Sequence, residues 1–318
     1  MTTALAAPTA PWSPTEFEAR LRAVGQERYH DRHPFNVRMH EGDLSPVEVR
    51  RWIANRFHYQ RHIPVKDALI TAKLDSPRLR RMWLRRIEDH DGRREGEGGI
   101  ERWLRLGEAA GLDRGSLLAA DSVLPGVRLA VEGYVNFCRL RPPLEAVAAS
   151  LTELTAPDLM RRRIDAFERH YSWIAPSGLA YFRTRVDQGR RDSGEALALV
   201  LEWARTREDQ ERAVAALTFK CDVLWTLLDA VQQAAEEDEA GRENRAGRRD
   251  GADGPELDSR PWREGRPVAG SRPELDGRPE LGGRSELDSR PWREGRPAPG
   301  SRPAQDGRPW RGSRVGRV

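Results

Sequence analysis

Residues 55–68 read Asn-Arg-Phe-His-Tyr-Gln-Arg-His-Ile-Pro-Val-Lys-Asp-Ala. At helical period Arg56, Gln60 and Ile63 share one side, and Tyr59, Ile63 and Lys66 the next. The spacing predicts a helix, yet polar groups stand where a helix would be building core. Pro64 removes a backbone donor in mid-run and is expected to kink it. Two readings fit: a polar-faced helix lining a cavity, or a solvated face with an incidental proline.

The flanks are helical as well. Ser45-Pro46-Val47-Glu48 is a capping box with proline at the first helical position, and Val49, Trp52, Ile53 and Phe57 form the apolar stripe of the helix it starts. Ser13-Pro14-Thr15-Glu16 repeats the device ahead of Phe17, Leu21 and Val24, and Ser76-Pro77 opens a third helix that Gly92 stops. Tyr29 to Pro34, rich in aromatic and imidazole groups, reads as a loop. Helical patterns continue over 100–111, 123–140, 144–156, 158–171, 178–188, 194–207 and 209–235. Glu153 interrupts the apolar run 144–156, and a buried glutamate is costly unless paired. No segment alternates in the manner of a strand. Residues 14–238 are expected to form an all-α domain behind a flexible N-terminus over 1–13.

Composition sets the far boundary. Residues 241–318 hold eighteen arginines against thirteen acidic residues, so the basic balance of the chain lies there, and residues 1–240 carry one net negative charge. A domain of that balance lacks the electrostatic footprint of nucleic-acid binding. The twelve residues Glu256–Pro267 recur at Glu286–Pro297, and the surrounding glycine and proline leave too little apolar surface to offset chain entropy. Residues 239–318 are therefore expected to be a disordered low-complexity tail. Neither a secretory signal nor a membrane span is legible, and the two cysteines, Cys138 and Cys221, have no CxxC partner, which points to the cytoplasm.

Arginine outnumbers lysine 51 to 3, so Lys66 and Lys220, each among apolar neighbours on a helix, stand out. Such a lysine either snorkels to the surface or serves a site. Five of seven histidines fall within residues 30–62, and His58 and His62 are four apart. A single Glu-x-x-His pair, Glu27–His30, occurs without the second that a di-metal helical site needs, and no His-Glu-x-x-His pattern is present, so no metal site is expected. What remains is arginine, lysine, histidine, tyrosine, glutamine and one glutamate spread over several helices. Inward-facing arginines demand anionic partners, and a small polycarboxylate would satisfy them bidentately.

The blocks Tyr29-His30, Trp52 to Gln60, Ile63 to Ala68, Arg86 to Gly92, Gly98 to Glu108, Val123 to Arg128, Ser150 to Leu154, Tyr181 to Arg185 and Phe219-Lys220 together resemble the pyrroloquinoline-quinone synthase family, in unbroken order over about residues 14–235. The resemblance implies a compact heme-oxygenase-like helical bundle of the thiaminase-II superfamily, usually a homodimer, with no metal or redox cofactor. It implies ring closure and eight-electron oxidation of a tricarboxylated quinoline-dione by dioxygen, with hydrogen peroxide released and pyrroloquinoline quinone (PQQ) as product. Carried over by position, Tyr29, His30, Arg56, Gln60, Lys66, Arg86, Arg163 and Lys220 would bind substrate. His90, Tyr134, Glu153, Tyr181 and Arg185 would handle protons and dioxygen. One position departs: some members carry a histidine where this chain has Met160. The superfamily also hosts other activities. A thiaminase-like hydrolase would need a catalytic cysteine near a carboxylate, and a non-catalytic carrier only the basic residues.

Overall fold

The structure is a computed structural model that describes residues 9–250, with side chains described to residue 241. Expectations for residues 1–8 and 251–318 lie outside the described residues. Within them the chain is helical throughout: α1 (Pro14–Arg28), α2 (Pro34–Glu41), α3 (Pro46–Thr71), α4 (Pro77–Asp91), α5 (Gly98–Ala109), α6 (Arg114–Ala119), α7 (Pro125–Leu140), α8 (Pro143–Ala148), α9 (Ala156–His170), α10 (Ala180–Trp203) and α11 (Arg207–Asp250). Short 3₁₀ turns at His30–Arg32, Leu151–Leu154 and Pro176–Leu179 join some of them. No strand occurs among the described residues, and no helix there is long and apolar enough to cross a membrane.

The caps lie where the sequence places them. Ser45 accepts from the Glu48 backbone amide at 3.3 Å while the Glu48 carboxylate accepts from the Ser45 amide at 2.8 Å, a complete capping box. Ser13 and Ser76 each accept from the amide three residues on. The central helix α3 continues from Pro46 through Pro64 to Thr71. Pro64 has no N–H to give to the Gln60 carbonyl, so that carbonyl loses its usual helical partner beside the cavity described below.

Four expectations need correction. Tyr29 to Pro34 is not simply a loop: His33 caps α2, its Nδ1 accepting from the Phe35 amide at 3.1 Å. Residues 144–156 are not one helix, because α8 ends at Ala148 and a 3₁₀ turn swings Glu153 toward two arginines that neutralise it. The segments 178–188 and 194–207 join as α10, since Gly189 and Gly194 each cost only about 1 kcal/mol in a helix and are carried by the flanking packing. Finally, α11 runs past the boundary expected at 238, because its Ala/Glu/Arg-rich continuation meets no proline before Pro255. Ahead of α1, the Trp12 ring lies 4.2 Å from the guanidinium groups of both Arg20 and Arg207.

Helix α3 packs against α4, α5 and α7, α10 against α9, and α11 against α7, α1 and α8. The shared core is aromatic: Trp52, Trp103, Phe167 and Phe182 contact one another, and Trp103 donates to the Ile53 carbonyl at 3.0 Å. Between α4 and α5, Gly92 and Gly98 take φ values of 83° and 84°. A Cβ on Gly98 would come 2.5 Å from the His90 carbonyl oxygen, so glycine there lets the loop press against the turn that carries His90.

Candidate active site

The polar face of α3 looks into an internal cavity of about 60 Å³, room for a few waters. Tyr29, Arg56, Gln60, His90, Glu153, Tyr181 and Arg185 line it, together with Tyr59, Ile63, Thr152, Ala156, Met160 and Leu224. Seven of the thirteen candidate residues thus meet in one place, from α3, α4, α10 and the turns around Tyr29 and Glu153. A larger hollow of about 480 Å³, lined by Glu27, Arg28, Asp222 and Trp225, is open to solvent, and its charges include an Arg28–Asp222 pair 3.6 Å apart.

Four of the remaining six candidates back the cavity through defined partners. Arg86 is 2% exposed and donates to Glu153 at 2.8 Å and to the Asp192 carbonyl. Lys66 pairs with Asp67 at 2.6 Å and donates to Ser150 at 3.1 Å, while Trp83 donates to the same Asp67 oxygen at 2.8 Å. Lys220 donates to the Tyr59 hydroxyl at 2.6 Å and stands 3.5 Å above the Tyr134 ring. Tyr134 in turn stacks on Tyr59, with centroids 6.4 Å apart.

The last two, His30 and Arg163, are tied together by a residue the sequence reading missed. Asn36 donates its amide to the His30 carbonyl at 2.7 Å and to His30 Nδ1 at 2.8 Å, and its oxygen accepts from Arg163 at 3.1 Å. Because the amide donates, His30 Nδ1 accepts, and the ring proton sits on Nε2, which is buried without a partner. The Nε groups of Arg86 and Arg163 are likewise buried donors without partners.

Tyr181 donates to Gln60 Oε1 at 2.8 Å. His90 Nδ1 faces the Arg86 carbonyl at 3.0 Å. A carbonyl only accepts, so His90 carries its proton on Nδ1 and keeps the Nε2 lone pair. Burial, then the nearby Arg185, lower the His90 pKa to about 3, so the imidazole is neutral at ordinary pH. Glu153 shows the reverse balance: burial opposes its charge, but Arg86, Arg185 and Lys66 outweigh burial and hold it at about 2. Burial raises Tyr29, Tyr59, Tyr134 and Tyr181, so all four phenols keep their protons.

Cations exceed anions here. Six buried cations (Arg56, Lys66, Arg86, Arg163, Arg185, Lys220) face the buried Asp67 and Asp192 and the largely buried Glu153. Arg56, Arg163 and Lys220 have no carboxylate partner among the described residues and rest instead on the rings of Tyr59, Trp52 and Tyr134. Burial and Arg56 push Lys220 well below the ordinary lysine value and Arg163 down to about 9. Unpartnered buried cations are expensive, and an anion entering the cavity relieves that cost.

His58 and His62 place their rings 4.5 Å apart on α3, but neither lines the cavity. Among the described residues no group of three His, Cys, Asp or Glu side chains gathers to hold a metal ion. Cys138 and Cys221 are buried, burial raises both thiols, and neither lines the cavity.

A solved chain from Shewanella denitrificans, described as a domain of unknown function with a heme oxygenase-like fold, superposes with a TM-score of 0.60 at 16% identity, covering 72% of this chain and 96% of that one. Fold and site together define an all-α bundle of the heme-oxygenase-like class with a cation-rich cavity at its centre. Residues 18–230 match the TENA/THI-4/PQQC family, and the chain belongs to it. It is 50% identical over 228 residues to a protein of Cronobacter sakazakii named pyrroloquinoline-quinone synthase, covering 72% of this chain and 90% of that one. A Rhizobium rhizogenes protein of the same name is 51% identical over 218 residues, covering 69% and 88%.

Proposed function

We propose that this protein is a pyrroloquinoline-quinone synthase, an oxidase that closes a ring in a tricarboxylated quinoline-dione and oxidises it to PQQ with dioxygen. The observation that carries this reading is the excess of three buried cations over carboxylates around the cavity, which matches the charge of three ligand carboxylates. The relatives named for this activity share about half of their residues with the chain over most of their own length. A three-ring ligand exceeds the present cavity volume, so its lining side chains move on binding.

Each two-electron oxidation takes two electrons and two protons from the substrate and delivers them to dioxygen as hydrogen peroxide. The neutral His90 offers its Nε2 lone pair to a substrate proton, and Glu153 stands close enough to favour the imidazolium that results. Arg185 and Tyr181 supply positive charge and a donor for reduced oxygen. Met160 lines the same wall, so the histidine of some relatives has no equivalent there and proton transfer falls to the remaining groups.

On this reading the protein needs no resident metal or redox cofactor. It acts in the cytoplasm, in keeping with its two free buried thiols, and as a homodimer, in keeping with the family resemblance. Incubating chelator-treated protein with precursor in air, and following quinone absorbance and peroxide, tests the activity. Product binding without turnover would favour the carrier, for which the cations alone suffice.

A further inference from the structure

We propose that Tyr59 is a hydrogen-bond donor to the bound ligand, its phenol proton turned into the cavity by the ammonium of Lys220. The inference rests on the function proposed above and adds to it a residue that the sequence reading left out of the site.

Tyr59 lines the cavity and is 7% exposed. Its hydroxyl accepts a 2.6 Å hydrogen bond from Lys220 Nζ. With ligand carboxylates holding Lys220 as an ammonium, which only donates, the phenol oxygen in that bond spends a lone pair and keeps its own proton. Among the described residues no carbonyl or carboxylate takes that proton, in contrast to Tyr181, whose hydroxyl already donates to Gln60.

The ring that carries the hydroxyl is held by two neighbours. The Arg56 guanidinium lies 4.2 Å from its centroid, and Tyr134 stacks at an interplanar angle of 13°. With the ring fixed and the Lys220 side of the oxygen occupied, the direction left for the proton is the cavity. Such a donor costs no reorganisation when charge builds on an acceptor, and the adjoining cation strengthens it. The acceptor it suits is a ligand oxygen that turns anionic during the reaction, an enolate or quinone-type oxygen. Ligand carboxylates that keep Lys220 charged keep this arrangement in place, so substrate charge and the orientation of Tyr59 are coupled.

The test grades the donor without removing the ring. Tyr59 is replaced site-specifically by 3-fluorotyrosine and 3,5-difluorotyrosine, and separately by phenylalanine (Tyr59→Phe). Each protein is measured for the visible absorption maximum of bound PQQ and for kcat with precursor in air. The expected result is an absorption maximum that moves progressively with phenol acidity, and a Tyr59→Phe protein that binds PQQ but has lost about a hundredfold in kcat. Packing alone would not follow phenol acidity. Identical spectra and rates across the fluorinated series overturn the inference even if Tyr59→Phe fails to fold. A wild type that binds PQQ yet leaves precursor unoxidised defeats the oxidase reading alone, and the spectra then decide the role of Tyr59. A wild type that binds no PQQ defeats both.

Discussion

Glu153 accepts a 2.8 Å hydrogen bond from Arg86, and the two form the buried ion pair on which the wall of the cavity rests. Arg185 holds the other oxygen at 3.3 Å. The Glu153 pKa drops from 4.5 to about 2 on folding. A depressed carboxylate contributes stability that is full above its unfolded value and is lost as pH falls through its folded one, here between about 4.5 and 2. Asp192, raised by burial and by Glu153 itself, acts with the opposite sign and offsets part of this. Glu153→Gln strands two guanidinium groups and should destabilise the fold by about 3 kcal/mol at neutral pH. The deficit should shrink as the pH is lowered toward 2. Denaturant midpoints equal to wild type at pH 7 would refute it.

The unpaired cations make a prediction about binding. Arg56→Ala or Lys220→Ala should weaken PQQ binding by about 1.5–3 kcal/mol, the worth of a charged hydrogen bond. Burial and the charges of Arg56 and Lys66 depress Lys220 in the empty site, and ligand carboxylates raise it again. Binding therefore takes up protons at pH values between the two states of Lys220, and affinity falls as pH rises across that interval. Calorimetry in buffers of different ionisation enthalpy reads the uptake directly. No buffer dependence in wild type, or the same dependence in Lys220→Ala, would contradict it.

How much of this was legible beforehand follows the range of the interactions. The Ser45 capping box and the polar side of α3 are local, periodic features, and the cavity lies where Arg56 and Gln60 pointed. The 3₁₀ turn of Glu153 was missed because pairing with Arg86 and Arg185 decided it, and His33 as a helix cap because histidine is an uncommon capping residue. Asn36 meets Arg163 across 127 positions, and no spacing in one sequence announces such a meeting. Tyr59 stood in the stretch that organises the fold but reads as one more aromatic until Lys220 is placed beside it.

Asn36 offers a test of that missed layer. It is fully buried and is the shared partner of His30 and Arg163. Asn36→Leu keeps the volume but strands the His30 carbonyl and ring nitrogen and an arginine, each buried polar group costing about 1–3 kcal/mol. The variant should melt earlier and, with His30 no longer oriented, bind PQQ more weakly. Asn36→Asp should recover only part of the stability, since its carboxylate can still take the Arg163 hydrogen bond but has no donor for the His30 carbonyl. Full PQQ affinity in Asn36→Leu would show that His30 does not meet the ligand.

The oxidative steps give the last prediction. Tyr181 and Arg185 are one helical turn apart on α10, and both line the cavity that His90 of α4 also lines. Burial makes this imidazole neutral, with Nδ1 committed to the Arg86 carbonyl. A neutral His90 starts as a proton acceptor, so its part is to help form the electron-rich substrate anion, while Arg185 and Tyr181 meet the negative charge of reduced oxygen. His90→Asn, Tyr181→Phe and Arg185→Ala should each retain precursor binding yet stall under air at a reduced intermediate, with kcat down by about 10²–10³. Arg185→Ala should also lose stability, because Glu153 and Asp192 both use that guanidinium. Chelators should leave the wild type active. Normal turnover in all three variants, or chelator-abolished activity that iron restores, would defeat the mechanism, because the first removes the role of these groups and the second supplies dioxygen activation by another route.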